Sequence, residues 1–173
     1  MNSLKILVLG YGRHGKDTVC DVLKDRYNLD FQSSSEFCAR LFIYDELKHK
    51  YGYTSYQECY TDRHNHRAEW FDMIHNYCKD DLARLGRNIF KEHDIYCGLR
   101  NKDEMTAMKA EGVYDYSIWV DRSQHLPPED SSSMNITKDM ADFVIDNNGT
   151  LEELQHNTCR LMDYITSQQT ISQ

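Results

Sequence analysis

The chain of 173 residues is 40% hydrophobic and 28% charged, a length and composition that predict one globular domain spanning residues 1–173. Its formal net charge of −8 at pH 7 argues against a polynucleotide-binding protein, because affinity for nucleic acids comes largely from Lys and Arg. The apolar runs are too short for a membrane span or a signal-peptide core, so we expect no membrane partner and a cytoplasmic location.

Six cysteines are scattered along the chain without a CxxC pair. Zinc ligands are usually closely spaced, so this distribution indicates reduced thiols with structural roles. His64 and His66 flank Asn65, a spacing that does not by itself predict a metal site.

The first half of the chain begins with an apolar run at residues 4–9 (LKILVL), which ends at a glycine and predicts a central parallel strand. Apolar residues at helical spacing predict a helix over about 16–27, and a short second strand follows at 29–32. Most of the stretch from about 36 to 91 is expected to be helical, with a break near 51–54. This stretch would be a helical insert between the second and third strands.

The second half continues the alternation of strands and helices. Residues 93–99 and 116–120 are expected to be strands, with a helix at 102–111 between them. Residues 121–140 are polar, with two adjacent prolines and three consecutive serines, and predict a surface loop or lid. The last strand is expected at 141–145.

The sequence of the C-terminal segment predicts a capped helix. Thr150 and Glu153 form a capping box after a turn at 147–149. Four apolar residues are expected to share one face of this helix: Leu151, Leu154, Leu161 and Ile165. Residues 167–173 are expected to fray. The whole order predicts an α/β fold of three layers, with helices on both faces of a parallel sheet.

Residues 10–18 (GYGRHGKDT), which we call the phosphate loop, match the pattern G-x-x-x-x-G-K between a strand and a helix. Glycines let successive backbone N–H groups point at a phosphate, and the lysine reaches the β- and γ-phosphates of a nucleoside triphosphate. The residues expected to bind ATP here are Gly10, Gly12, Gly15, Lys16, Asp17 and Thr18.

Position 17 departs from the usual pattern, because Asp stands where Ser or Thr commonly binds magnesium. Carboxylates are good ligands for this hard cation. We therefore expect Mg²⁺ as a cofactor at Asp17 or Thr18, and the sequence leaves open which of the two contacts the metal.

Three arginines follow predicted strands, where parallel sheets place their ligands. Arg100 follows the third strand, and its alternative is a surface salt bridge with Asp103 or Glu104. Arg40 comes after the second strand and is expected at the same end of the sheet. Arg122 opens the lid and either stabilises a moving phosphoryl group or is an ordinary loop residue.

The helical insert carries Arg63 and Arg67 four residues apart, one turn from Trp70. Two guanidinium groups beside an aromatic ring suit a nucleotide acceptor. The alternative is a solvated helix with Trp70 in the core.

Three segments together resemble the bacteriophage deoxynucleoside monophosphate kinases, which belong to the nucleoside monophosphate kinase group alongside dephospho-coenzyme A kinase. They are the GKDT end of the phosphate loop, Arg100 followed by Glu104, and residues 142–154 (DFVIDNNGTLEEL). The resemblance implies a P-loop fold with a five-stranded parallel sheet, an acceptor-binding helical insert and a short lid. It also implies ATP with magnesium as donor, a deoxynucleoside monophosphate as acceptor and, for a phage protein, the host cytoplasm.

The resemblance also implies roles for particular residues. Arg40 would bind the acceptor phosphate. Arg100 would lie near the phosphates of both donor and acceptor, and Arg122 would be an arginine of the lid. The loop beside the ATP adenine would consist of Asn147, Asn148 and Gly149. By the same resemblance to the nucleoside monophosphate kinase group, a homodimer that forms through the helical insert is a further expectation.

Two other functions remain open from the sequence. The same fold serves kinases of other small metabolites, such as a dephospho-coenzyme A-like molecule or a modified nucleotide. A regulator that binds ATP without transferring a phosphoryl group is the alternative outside the enzymes.

Overall fold

The structure, a computed structural model, describes residues 3–171. It contains a parallel sheet of five strands: β1 (Ile6–Leu9), β2 (Phe31–Ser33), β3 (Ile95–Cys97), β4 (Tyr116–Asp121) and β5 (Phe143–Asp146). Their order in the sheet is β2-β3-β1-β4-β5, and all neighbouring pairs are parallel. The predicted α/β class and the five-stranded sheet are confirmed.

Eight α-helices connect and cover the strands within the described residues. They are α1 (Lys16–Tyr27), α2 (Ser34–Cys38), α3 (Tyr44–Tyr51), α4 (Tyr56–Asp62), α5 (Arg67–Cys78), α6 (Arg84–Glu92), α7 (Lys102–Ala110) and α8 (Leu151–Ile171). A π-helical turn at Ala39–Ile43 joins α2 to α3, and 3₁₀ turns lie at Arg63–Asn65 and Lys138–Met140. No helix in residues 3–171 has both the length and the apolar character needed to cross a membrane.

The central strand β1 divides the core into two layers. Side chains alternate across a strand, so Leu7 and Leu9 pack with the helices of the insert and α7, whereas Ile6 and Val8 pack with α1 and α8. All four residues are fully buried. The apolar run of β1 is therefore explained by a strand that is covered on both faces.

The helical insert lies between β2 and β3, as the sequence predicts, and its first break is at Gly52, which has φ of 74°. It begins earlier than expected, because the Ser33 side chain accepts a hydrogen bond from the Glu36 N–H and caps α2. The serine run after β2 therefore starts a helix.

The capping box of α8 is confirmed, since Thr150 N–H donates to Glu153 and Glu153 N–H donates back to Thr150 Oγ1. Leu154 and Ile165 on this helix are buried, whereas the Leu151 side chain is 61% exposed. Spacing gives the direction of a side chain and cannot tell whether another element covers it. Fraying from residue 167 is also wrong up to Ile171, where α8 ends, and residues 172–173 lie outside the described part of the chain.

Candidate active site

The phosphate loop joins β1 to α1, and two of its glycines are required by their backbone conformation and close contacts. Gly10 has φ of 143°, and a Cβ there would lie 2.7 Å from the Val120 carbonyl oxygen. Gly15 has φ of 101°, and a Cβ there would lie 2.4 Å from Asn147 Nδ2. Larger residues at either position would push the loop away from the strands that support it.

His14 ties this loop to the ends of β4 and β5. Its buried ring accepts a hydrogen bond from the Arg122 N–H at Nδ1, at 3.0 Å, and its carbonyl oxygen accepts one from Asn147 Nδ2, at 2.8 Å. Burial lowers the pKa of His14 below its ordinary value, which favours the neutral ring that the Nδ1 acceptor role requires. The loop is thus held in place from two neighbouring strands.

Lys16, the lysine of the phosphate loop, lies over that loop. Its Nζ donates to the Tyr11 carbonyl oxygen at 2.9 Å. Burial lowers the pKa of Lys16, and the nearby Arg100 acts in the same direction. A partly buried ammonium group beside a second cation suits an anionic ligand.

A carboxylate of the lid (residues 121–140) contacts the phosphate loop and Arg100 together. Glu129 Oε2 accepts a hydrogen bond from the Gly12 N–H at 2.8 Å, and Glu129 Oε1 accepts one from Arg100 Nη1 at 2.8 Å. Burial opposes ionisation of Glu129, but these hydrogen bonds hold its pKa below the ordinary value. The groups that gather around this carboxylate are those that would bind a phosphate oxygen.

A cavity of about 160 Å³ opens beside Arg100, at the carboxyl ends of β2 and β3. We call it the Arg100 cavity, and its walls include Cys38, Phe71, Ile74, Leu85, Arg100 and Glu104. Phe71 is 59% exposed at its rim, with its ring stacked on His75. A mainly apolar cavity with a few polar groups is typical of a small-molecule site.

Glu104 is the acidic group of this cavity. It lies in the first turn of α7, and burial raises its pKa above the ordinary value, although a hydrogen bond with Cys78 works in the opposite direction. The expected alternative of a salt bridge from Arg100 to Asp103 or Glu104 is not found, since Arg100 pairs with Glu129.

The predicted adenine loop lies beside the phosphate loop and the start of the lid. Arg122 Nη1 donates to the Asn147 carbonyl oxygen at 2.6 Å, and the Gln124 N–H donates to Asn148 Oδ1 at 3.0 Å. Gly149 follows directly, with the Glu153 side chain against it. The structure therefore brings Arg122, Asn147 and Asn148 together around one edge of the sheet.

Arg40 does not lie where the sequence places it. Its guanidinium pairs with Glu92 at 2.6 Å and lies over the Phe37 ring. Glu92 ends α6 just before β3 begins, so this ion pair points toward the amino end of that strand. The residue follows β2 in sequence, but the helical turn that carries it rotates the side chain away from the Arg100 cavity.

The three residues of the insert that were predicted to bind the phosphoryl acceptor, Arg63, Arg67 and Trp70, do not share one face. Trp70 is buried in the core, which favours the structural alternative for this ring. Arg63 lies over the Tyr60 ring and donates to the Tyr60 carbonyl oxygen, whereas Arg67 is exposed at the start of α5. None of the three lines the Arg100 cavity.

The residues expected to hold magnesium are in the first turn of α1. Asp17 is exposed, and Cys97 Sγ donates to its Oδ1 at 3.7 Å, while Thr18 is half-buried. Within residues 3–171, no group of three or more His, Cys, Asp or Glu side chains is arranged to hold a metal ion. Proteins commonly bind Mg²⁺ through one or two carboxylates together with substrate phosphates, and Asp17 beside the phosphate loop fits that mode.

The fold is similar to that of two solved shikimate kinases. The enzyme from Aquifex aeolicus aligns with a TM-score of 0.51 and 16% identity over 92% of this chain and 96% of the other. The enzyme from Bacteroides thetaiotaomicron aligns with a TM-score of 0.51 and 11% identity over 94% and 98%. At these identities the likeness shows a P-loop kinase-like fold and no particular acceptor. No protein-family model and no curated protein matches the chain.

Sequence reasoning missed Glu129 and the importance of Glu104 and Phe71. Glu129 belongs to a polar loop whose contacts depend on tertiary structure, and its sequence carries no signal for them. Glu104 and Phe71 come from helices far apart in the chain and meet only at the Arg100 cavity. The position of Arg100, directly after a strand, is the signal that could have directed attention to its neighbours.

Proposed function

We propose that the chain is a phosphotransferase that uses ATP and Mg²⁺ to convert a (deoxy)nucleoside monophosphate to the diphosphate. The observation that carries this proposal is the position of Arg100. Its side chain reaches Glu129 at the phosphate loop and also lines the separate Arg100 cavity. One guanidinium group can therefore contact the ATP phosphates and an acceptor.

The proposed roles follow from charge and position. Phosphoryl transfer needs mainly alignment and stabilisation of charge on the moving group. Lys16 would bind the β- and γ-phosphates, Arg100 would bridge donor and acceptor, and Arg122 would add charge at the lid side. Bound at Asp17 or Thr18, Mg²⁺ would neutralise phosphate charge. A lid closed over the site would exclude water as a competing acceptor.

A nucleoside monophosphate fits this arrangement because its phosphate is largely ionised near neutral pH, with a second pKa of about 6. An ionised phosphate oxygen can attack without a general base. The acceptor phosphate would be placed by Arg100, and the base of the acceptor would enter the Arg100 cavity. The sequence resemblance to the phage deoxynucleoside monophosphate kinases supports the same acceptor class.

A kinase of another small cyclic metabolite is the second candidate. The two similar structures are shikimate kinases, and the Arg100 cavity is small. A panel that contains nucleoside monophosphates and shikimate, scored by acceptor-stimulated ADP formation, separates the two candidates.

Lys16→Ala tests the proposal at the phosphate loop. We expect monophosphate-stimulated ADP formation to fall about 100-fold or more, because a charge that stabilises the transition state is lost. Lys24→Ala removes an exposed lysine of the same helix and should leave the rate within twofold. Full activity of Lys16→Ala with every monophosphate would contradict the proposal.

A further inference from the structure

The size of the Arg100 cavity limits what it can hold. An apolar protein cavity of about 150 Å³ accommodates a benzene-sized ring, and this cavity measures about 160 Å³. A single six-membered ring therefore fits, whereas a fused two-ring base would have to displace a buried wall side chain such as Leu85 or extend past the exposed Phe71 at the rim. Packed cores resist such displacement because it forces side chains off their preferred rotamers.

The guanidinium of Arg100 and the carboxyl group of Glu104 add a second restriction; the other polar residues that line the cavity include Ser34, Ser35, His75, Asn101 and Ser133. Arg100 offers only hydrogen-bond donors, and it suits the anionic end of a ligand. Glu104, also in the cavity wall, has two carboxyl oxygens of which at least one accepts hydrogen bonds in either protonation state. Its neighbour Cys78 is only a weak donor, so the carboxyl group retains accepting capacity for a ligand.

We propose that Glu104 selects the acceptor by accepting a hydrogen bond from an amino group on a single six-membered ring. This inference rests on the proposed kinase function and names its substrate class: a pyrimidine monophosphate with an exocyclic amine. Cytosine has such a donor, whereas thymine presents an acceptor oxygen at the equivalent position. Adenine has an amino group but two fused rings, which the cavity does not fit.

The first test is a panel of dCMP, dTMP, dAMP and dGMP with ATP and Mg²⁺. We expect kcat/KM for dCMP to exceed that for dTMP by about tenfold or more, since a hydrogen bond to a charged group is worth about this factor. It should exceed the values for dAMP and dGMP to a similar extent, because their fused rings are larger than the cavity. Equal or higher kcat/KM for dTMP, dAMP or dGMP would overturn the inference.

The second test compares Glu104→Gln with Asp103→Asn. Both substitutions remove one negative charge from the first turn of α7, so their effects on the helix dipole are matched. Asp103 is exposed and does not line the cavity. We expect Glu104→Gln to raise the KM for dCMP about three- to tenfold, because a neutral amide oxygen accepts a weaker hydrogen bond than a carboxylate. The KM for ATP should stay unchanged, and Asp103→Asn should alter neither value. Equal KM values for dCMP in the two variants would overturn the role of Glu104.

Calorimetric titration of dCMP into the protein separates failure of the inference from failure of the kinase proposal. Monophosphate-stimulated ADP formation without preference for dCMP would overturn the inference and leave the kinase proposal standing. Absence of ADP formation with dCMP binding weakened by Glu104→Gln would support the recognition site and overturn the kinase proposal. Absence of both activity and binding would overturn both.

Discussion

Gly15 shows how strongly a single residue of the phosphate loop is constrained. Its φ of 101° disfavours any residue with a Cβ, and the space where a Cβ would lie is taken by Asn147. The amide of Asn147 is itself used, because it donates to the His14 carbonyl oxygen. The loop conformation and its attachment to the end of β5 therefore depend on the same glycine.

Gly15→Ala should destabilise the protein by about 1–3 kcal/mol more than Gly52→Ala, since it also breaks the hydrogen bond between Asn147 and His14. Gly52 is the matched control, because it has φ of 74° and no heavy atom within 4 Å of the Cβ position. Urea unfolding of both variants measures the difference. Equal losses of unfolding free energy would show that the contact with Asn147 does not matter.

Glu104 gives a pH-dependent prediction at the same scale. Its pKa is raised in the folded state by burial, so ionisation of this group disfavours folding above its folded pKa and has no such effect below its unfolded pKa. Glu104→Gln should therefore be more stable than the wild type near pH 8, with the difference shrinking as the pH falls toward about 4. Thermal unfolding of both proteins across this range tests it, and a constant difference would contradict it.

The lid is the element whose contacts bear most directly on nucleotide binding. Glu129 places a carboxylate against the Gly12 N–H and Arg100, and both groups are expected to meet phosphate oxygens in the ATP complex. The carboxylate and the nucleotide would compete for the same donors. ATP binding would then require the Glu129 carboxylate to leave the Gly12 N–H and Arg100. The apparent affinity for ATP is lowered because only the molecules without this contact can bind.

Glu129→Gln should tighten ATP binding about two- to fivefold, because the competing contact loses its charge and half-exposed ion pairs are worth about 1 kcal/mol or less. Asp130→Asn is the matched control: it removes a charge from the neighbouring lid residue, whose side chain accepts from the Ser132 N–H. Isothermal titration with ATP and Mg²⁺ measures both. Weaker binding by Glu129→Gln would show that Glu129 supports the nucleotide site instead of competing for it.

Elements were predictable where local sequence determines them. The strand β1 and the phosphate loop follow from an apolar run and a glycine pattern, and the box at Thr150 and Glu153 correctly starts α8. Arg40 and Trp70 could not be placed, because their directions depend on how the insert packs on the sheet. Glu129 likewise acquires its position only when the lid folds back over the loop.

At the scale of the whole molecule, the sheet collects distant segments at one edge. The carboxyl ends of parallel strands meet there, so the phosphate loop after β1, Arg100 after β3, Arg122 after β4 and Asn147 after β5 become neighbours. The two core layers on either side of β1 hold these strands in register. The insert adds the wall of the Arg100 cavity on the β2–β3 side.

The most direct test of the account follows the phosphoryl group itself. Wild-type protein is incubated with Mg²⁺, dCMP and ATP whose γ-phosphate carries radioactive phosphorus, and the nucleotides are separated. The proposed phosphoryl transfer places the label in the β-phosphate of dCDP, with no such product from Lys16→Ala. Label released only as inorganic phosphate, or retained in ATP with each monophosphate of the panel, would contradict the central claim.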